Sequence, residues 1–150
     1  MIRFEEVIQS ARKTDINKII HIPERASANS AGYDFYAPES IDIPADGISV
    51  VWTDVKACMD KNIVLMIYPR SSFGKKRVVL ANGTGIIDSD YYGNPMNDGN
   101  IGIMLYNYGK EPFHIAEGER VAQGVFMKFE TVDNDKAEKA RTGGFGSTGK

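Results

Sequence analysis

The amino-acid sequence predicts an all-β antiparallel fold, and two observations indicate this class. Short runs of β-branched, aromatic and other apolar residues recur along most of the chain, and turn-forming residues separate each run from the next. The chain also carries 15 glycines and 6 prolines, which suit the many tight turns that such a fold needs. A chain of 150 residues has the size of one ordinary domain, so we expect a sandwich, jelly roll or barrel.

The N-terminal segment is the exception to this β pattern. Phe4, Val7 and Ala11 recur at helical spacing, with charged and polar residues between them. Such spacing predicts one short amphipathic helix over residues 2–13, within an N-terminal extension that covers residues 1–16.

The predicted β-domain covers residues 17–132, and a Gly-rich C-terminal arm follows it over residues 133–150. Within the β-domain, Gly93–Asn100 is too rich in turn formers for a strand and is predicted to be a long hairpin loop. The arm has one large apolar residue, Phe145, and its composition predicts a mobile segment. Strands are expected at Lys18–Ile22, Gly32–Ala37, Ser40–Ile43, Ile48–Met59, Ile63–Tyr68, Arg77–Leu80, Ile101–Tyr106, Phe113–Ala116 and Val121–Phe129.

Composition and charge argue against several function classes. With 18 Lys and Arg against 20 Asp and Glu, the net charge is −2, which gives no general attraction to nucleic acid or to an anionic membrane surface. One cysteine, Cys58, is too few for a disulfide framework or a cysteine-based zinc site. No apolar run is long enough to span a bilayer, and the acidic start is unlike a signal peptide, so a cytoplasmic protein is expected.

Three polar segments could carry chemistry. Tyr68–Arg77 sets the Arg70 guanidinium and two serine hydroxyls after an apolar strand, a donor set that suits phosphate oxygens but also fits a solvated basic turn. Asn82–Gly93 holds Asp88 and Asp90 beside two tyrosines, which could activate a water and contact a sugar, or could simply cap a loop. The glycines near the C-terminus could wrap a phosphate, although composition alone favours a plain flexible tail.

Taken in order, five segments resemble the five motifs of the homotrimeric, all-β dUTP pyrophosphatases, the dUTPases. Five ordered matches across most of the chain are far more specific than any one of them. The matching segments are Ser30–Ala37, Pro69–Gly74, Asn82–Tyr91, Gly118–Gln123 and Gly143–Gly149.

The resemblance implies a jelly-roll or β-clip-like antiparallel fold and hydrolysis of dUTP to dUMP and pyrophosphate by attack of water on the α-phosphorus. Such a reaction limits uracil incorporation into DNA and supplies dUMP for dTMP synthesis. The resemblance also implies a homotrimer with shared active sites, and a mobile arm that acts as a lid. Mg²⁺ is the expected cofactor, held mainly by the triphosphate and waters rather than by a direct protein cage.

The same resemblance assigns roles on the nucleoside side of the site. Asp88 corresponds to the base that orients and deprotonates the attacking water. Tyr91 would pack under the deoxyribose, where a ribose 2′-hydroxyl would collide, and Phe145 would close over the uracil. The turn that binds the uracil edge would use Asn82, Gly85, Ile86 and Ile87.

On the phosphate side, Asp34 corresponds to a first-motif residue near the metal-water and interface network. Arg141 stands one residue nearer to Phe145 than the family's usual fifth-motif arginine, and the Gly93–Asn100 loop is longer than the family's usual tight hairpin. The residues that match phosphate contacts are Arg70, Ser71, Ser72, Gln123, Arg141, Gly146, Ser147 and Thr148.

Two other functions remain open at this point. A dCTP deaminase shares the fold and a similar Arg-Ser-Ser turn, but its chemistry needs a carboxylate at the pyrimidine C4, and Ile101–Tyr108 offers no matching glutamate. A non-catalytic nucleotide-sensing or protein-binding module on this scaffold is the second alternative. The intact Asp88, Tyr91 and arm motif favour catalysis over that module.

Overall fold

The computed structural model describes residues 1–146, and strands make up most of the regular structure, which confirms the all-β prediction. A short α-helix, α1, covers Ser71–Lys75, and 3₁₀ turns form at Gln9–Ala11 and Ser89–Tyr91. Within residues 1–146, no helix has the length and apolar character needed to span a membrane. The strands are β1 (Arg3–Glu6), β2 (Glu24–Arg25), β3 (Tyr33–Tyr36), β4 (Ile41–Ile43), β5 (Gly47–Trp52), β6 (Val55–Cys58), β7 (Ile63–Pro69), β8 (Val78–Leu80), β9 (Gly85–Ile87), β10 (Gly102–Asn107), β11 (Phe113–Ile115) and β12 (Arg120–Lys128).

The described strands form four sheets, and each of their pairings is antiparallel. The largest sheet has the order β2-β3-β12-β7-β9, and a second has the order β5-β10-β8. Two smaller pairs, β1-β6 and β4-β11, complete the set. In the largest sheet β12 pairs with β7 from Ala122 opposite Pro69 to Lys128 opposite Ile63. This long pairing makes β7 and β12 the centre of the sheet.

The core is one cluster of buried apolar side chains that come from both larger sheets. Every second residue of β7 faces it, so Ile63, Leu65 and Ile67 are buried. Burial of each such side chain stabilises the fold by about 1.5–3 kcal/mol. On the neighbouring strand Gly124 allows close packing, because an added Cβ there would lie 2.8 Å from Leu65 Cδ1 and 2.9 Å from Phe35 Cε2.

The predicted N-terminal helix over residues 2–13 is wrong. Arg3–Glu6 is a strand that pairs with β6, and only the short 3₁₀ turn at Gln9–Ala11 is helical in this segment. The pairing lets the Phe4 ring pack against the ring of Phe35 at 5.5 Å between centroids. A lone helix of this length is marginal in water, whereas the strand gains a ladder of hydrogen bonds and a packed aromatic ring. Residues 1–16 are therefore not a helical extension, and Arg3–Glu6 joins them to the β-structure.

The remaining strand predictions are confirmed in outline, with local differences. Lys18–Ile22 forms no strand, and the predicted strand at Ile48–Met59 is two strands, β5 and β6. The break falls at Asp54, whose φ of 55° turns the chain between them. Helix α1 and strand β9 were not expected from the sequence. The loop predicted at Gly93–Asn100 is confirmed as turns without a strand, but the predicted hairpin is wrong, because β9 and β10 lie in different sheets.

Asp54 also ties the N-terminal segment to the rest of the domain. Its side chain is fully buried, and the carboxylate accepts hydrogen bonds from the backbone N–H groups of Lys13 at 2.9 Å and Thr14 at 3.1 Å. Asn100 Nδ2 donates to the same carboxylate at 2.7 Å, and the Arg12 Nε atom lies 3.7 Å away. These donors satisfy a charge that would otherwise be costly to bury.

We expect Asp54→Asn to lower the free energy of unfolding by about 2–3 kcal/mol, because an amide NH₂ would face the donors that now share a carboxylate. Asparagine keeps the size of the side chain and tolerates the positive φ, so the loss reports the hydrogen bonds. Urea denaturation at a fixed protein concentration measures it. The control is Asp60→Asn, whose side chain is 63% exposed. Equal midpoints for the two variants would contradict the role given to Asp54.

Candidate active site

A cavity of about 280 Å³ lies between β9, the 3₁₀ turn that follows it, β10 and the C-terminal arm. The cavity brings together nine of the site residues predicted from the sequence. These are Asn82, Gly85, Ile86, Ile87, Asp88, Tyr91, Arg141, Phe145 and Gly146. Residues from β7, β8 and β10 complete the wall, among them Ile67, Leu80 and Met104.

Sequence reasoning missed these wall residues from β7, β8 and β10. Their apolar alternation predicts strands, but it does not predict which strand lies beside which. The pairing of Ile67 with Gly85 joins β7 to β9 across a long stretch of chain, and only the folded sheet shows it.

The wall beside β9 depends on a tight turn and a close backbone approach. Gly83 has a φ of 75°, a left-handed conformation that glycine adopts without strain, and its N–H donates to the carbonyl of Leu80 at 3.0 Å. Two residues later, an added Cβ at Gly85 would lie 2.9 Å from Ile67 Cβ. The two glycines therefore allow the tight turn and the close approach of β9 to β7.

Asp88 lies at the edge of this cavity, directly before the 3₁₀ turn. Its backbone carbonyl accepts the N–H of Tyr91 at 3.1 Å, while its carboxylate, 45% exposed, points to a cation. That cation is the Arg141 guanidinium, whose Nη2 donates to Asp88 and whose Nε donates to Asp90 Oδ1 at 2.7 Å. Arg141 thus bridges two carboxylates and fixes the arm to this edge of the cavity.

The arm closes the cavity with two further contacts. An added Cβ at Gly144 would lie 2.6 Å from Tyr91 Cε2, so only a residue without a side chain fits against this ring. The Phe145 ring packs edge-on against Trp52 with 5.9 Å between centroids. Gly146 is the last described residue, and the predicted phosphate contacts Ser147 and Thr148 lie outside the described residues.

Tyr91 is 6% exposed and contributes to the same wall. Burial raises the pKa of its phenol, and the hydrogen bond from Asn97 and the charge of Arg141 oppose this rise. The phenol therefore stays neutral at physiological pH and keeps its proton for donation.

A second group of polar side chains lines another cavity, of about 340 Å³, on the β3–β12 side of the large sheet. We call it the phosphate cluster, and its side chains are those of Asp34, Arg70, Ser71, Ser72, Arg120 and Gln123. Arg120 Nη1 donates to Asp34 Oδ2 at 3.1 Å. Sequence reasoning gave Arg120 no role, although it lies inside the fourth matched segment. The other five members are predicted site residues that the fold brings together.

Hydrogen-bond donors of the phosphate cluster are only partly used by the described residues. The Ser72 hydroxyl oxygen is buried and has no hydrogen-bond partner among residues 1–146. Arg70 Nη1 lies 3.8 Å from a Glu119 carboxylate oxygen, so the guanidinium makes only a long ion pair with this carboxylate. Gln123 is held beside Gly32, where an added Cβ would lie 2.5 Å from its Oε1.

The two cavities have no lining residue in common. Arg70 follows Pro69 at one end of β7, whereas Asp88 follows Ile87, which pairs with Leu65 nearer the other end of that strand. Asp88 and Arg70 of one chain therefore lie toward opposite ends of β7.

Comparisons with known proteins agree with this architecture. A family model described as dUTPase matches residues 18–149. The chain is 43% identical to the deoxyuridine 5′-triphosphate nucleotidohydrolase of Lactococcus lactis, with 99% of this chain and 98% of that protein covered. The crystal structure of the dUTPase from Streptococcus mutans matches with a TM-score of 0.77 and 41% identity, over 88% of this chain and 99% of that one.

A more distant structure shares the fold. It is a mutant dUTPase from phage phi11 of S. aureus, described for its coordination of a structural Mg(II) ion. That chain matches with a TM-score of 0.69 and 22% identity, over 93% of this chain and 97% of its own.

Trp52 is the one tryptophan of the sequence and provides a direct probe of the arm. We expect Phe145→Ala to shift its emission to longer wavelength and to raise its quenching by acrylamide, because the substitution uncovers the indole ring. Phe129→Ala is the control, since it removes a 42% exposed ring just after β12. An unchanged spectrum in Phe145→Ala would mean that the arm does not rest on Trp52 in solution.

Proposed function

The chain belongs to the dUTPase family, and from this premise we propose that it hydrolyses dUTP to dUMP and pyrophosphate. The observation that carries the proposal is the cavity in which the Asp88 residue lies beside the Asn82–Ile87 segment and Tyr91. Such a reaction in the cytoplasm would limit the incorporation of uracil into DNA and would supply dUMP for dTMP synthesis.

The turn from Asn82 to Ile87 is proposed to bind the uracil edge. Its backbone N–H and carbonyl groups can pair with the uracil edge, and a wrong base would leave some of them buried and unpaired. The close approach of Gly85 to Ile67 supports a tight fit that would leave no room for the methyl group of thymine. The Tyr91 ring would lie under the deoxyribose and exclude a ribose 2′-hydroxyl.

Asp88 is proposed to act as the general base. Its carboxylate would accept a proton from a water molecule as the water oxygen forms a bond to the α-phosphorus. The bond from the α-phosphorus to the bridging oxygen would break, and pyrophosphate would leave with that oxygen. For this step Arg141 must release Asp88, and the triphosphate is the natural new partner for its guanidinium.

The phosphate cluster is proposed to hold the triphosphate. The Arg70 guanidinium and the Ser72 hydroxyl, which has no hydrogen-bond partner among residues 1–146, are donors of the kind that phosphate oxygens accept. Gln123 adds a side-chain amide beside them. The arm residues Phe145 and Gly146 would close over the nucleotide, with Ser147 and Thr148 on the terminal phosphate.

Mg²⁺ suits this arrangement as an ion carried by the triphosphate. The Asp34 carboxylate is shared with Arg120 and is the one acidic side chain in the phosphate cluster, which fits an outer contact through metal-bound water. The ion would neutralise phosphate charge and orient the chain of phosphates.

We propose that each site is completed by a neighbouring subunit in a homotrimer. The separate lining of the two cavities supports this arrangement, because Asp88 and Arg70 of one chain face different cavities. In a cyclic trimer every subunit can give its Asp88 side to one site and its phosphate cluster to the next.

Incubation with Mg²⁺ and, separately, dUTP, dCTP, dTTP and UTP tests the reaction. We expect pyrophosphate from dUTP and little from the other three nucleotides. Ammonia from dCTP would instead indicate the deaminase, and no turnover of any of the four would favour a nucleotide-binding module.

Asp88→Asn is expected to lower kcat for dUTP by at least about a hundredfold, because the amide cannot take the proton from water. Binding of a non-hydrolysable dUTP analogue should change little, since the substitution keeps the shape of the side chain. Steady-state kinetics and calorimetry measure the two effects. Asp42→Asn is the control, because Asp42 lies at the surface, paired with His114. Turnover retained by Asp88→Asn would rule out the general-base role.

Mixed trimers test the shared site. Asp88→Asn and Arg70→Ala should each be inactive alone, but equal amounts refolded together should recover about a quarter of the unaltered activity, because random assembly pairs an intact Asp88 with an intact Arg70 at that frequency. Each variant refolded alone is the control. No recovery in the mixture would place the complete site within one chain.

A further inference from the structure

The Gly93–Asn100 loop is held in one conformation by hydrogen bonds among its own residues. Asn94 Oδ1 accepts the backbone N–H groups of Met96 at 3.0 Å and Asn97 at 3.2 Å. The side chains of Asn94 and Asn97 are both buried, and Asn94 Nδ2 donates to Asn97 Oδ1 at 2.8 Å. The Gly93 N–H closes the loop by donating to the carbonyl of Asp98 at 3.1 Å. These contacts fix the position of the Asn97 amide.

The loop holds the far end of the Tyr91 side chain. The Tyr91 hydroxyl donates to the backbone carbonyl of Asn100 at 2.7 Å and accepts Asn97 Nδ2 at the same distance. The neutral phenol needed for this donation is favoured by the raised pKa of Tyr91, which burial causes. Both hydrogen-bonding roles of the hydroxyl are therefore filled by the loop.

The loop is in turn anchored to the N-terminal segment. Asp98 Oδ2 accepts the N–H of Ile8 at 2.8 Å and Lys56 Nζ at 2.7 Å. Asn100 is fully buried and donates through Nδ2 to the carbonyl of Ala11 at 3.0 Å and to Asp54. The chain of contacts runs from the N-terminal segment through the loop to the cavity wall.

We propose that Asn97 is a positioning residue for sugar selectivity, which it exerts by fixing the position of the Tyr91 ring. This inference rests on the proposed contact between Tyr91 and the deoxyribose. The hydroxyl oxygen lies on the axis of the Cβ–Cγ bond, so its two hydrogen bonds restrict the swing of the ring about the Cα–Cβ bond and hold the ring in place against the cavity. A ring free to swing away would make room for a ribose 2′-hydroxyl, whereas a ring held in place excludes it.

The test compares kcat/KM for dUTP with kcat/KM for UTP. Asn97→Ala should lower this ratio about tenfold, the scale of one lost hydrogen bond to a buried group. KM for dUTP should rise while its kcat stays within about twofold, because Asp88 is untouched. Tyr91→Phe removes the partner hydroxyl and keeps the ring, so it should lower the ratio similarly. The double variant should lose no more than either single variant.

Asn107→Ala is the matched control. Asn107 is also a buried asparagine that donates to carbonyl groups, those of Ile43 at 3.2 Å and Glu111 at 2.8 Å. Its loss should lower the thermal midpoint and leave the dUTP-to-UTP ratio unchanged. If Asn97→Ala does not fold, the dUTP-to-UTP ratio of Tyr91→Phe is the deciding measurement, and an unchanged ratio would overturn the proposal.

An unchanged ratio in the folded variants, or additive losses in the double variant, would overturn the role of Asn97 while leaving dUTP hydrolysis intact. Failure of the unaltered protein to hydrolyse dUTP would overturn the proposed function and this inference with it.

Discussion

The antiparallel pairing of β12 with β7 is the constraint on which the rest of this structure depends. Its register places Gln123 beside Tyr68, close to the point where Arg70 leaves β7. On the other edge of β7, β9 carries the turn that leads to Asp88. A shift of one residue would turn the buried face of β7 outward and would misplace both groups. The close packing at Gly124 fixes this register against the core.

The two ends of the chain act on the cavity in different ways. The N-terminal segment supports it permanently, through Asp54, the Gly93–Asn100 loop and the Tyr91 hydroxyl. The C-terminal arm meets it through Arg141, whose contacts with two partly exposed carboxylates can be exchanged. A fixed cavity wall, combined with an arm whose ion pairs can be exchanged, suits an enzyme that must select a nucleotide and then enclose it.

Sequence patterns predicted the strands and most members of both polar groups, because turn residues and motif segments are local signals. They failed where contacts between residues far apart in the sequence determine the local structure. Arg3–Glu6 became a strand because β6 was available to pair with it and Phe4 could pack against Phe35. The cavity residues Ile67 and Met104, and the link from Asn97 to Tyr91, depend on strand order and loop closure that no local pattern encodes.

The most direct test of this account is a crystal structure with Mg²⁺ and a non-hydrolysable dUTP analogue. We expect one analogue that contacts Tyr91 and Asp88 of one subunit and the phosphate cluster of another. We also expect that Arg141 will have left Asp88 and that the Tyr91 hydroxyl will remain hydrogen-bonded to Asn97 and Asn100. An analogue held by Asp88 and Arg70 of the same chain would contradict the shared site.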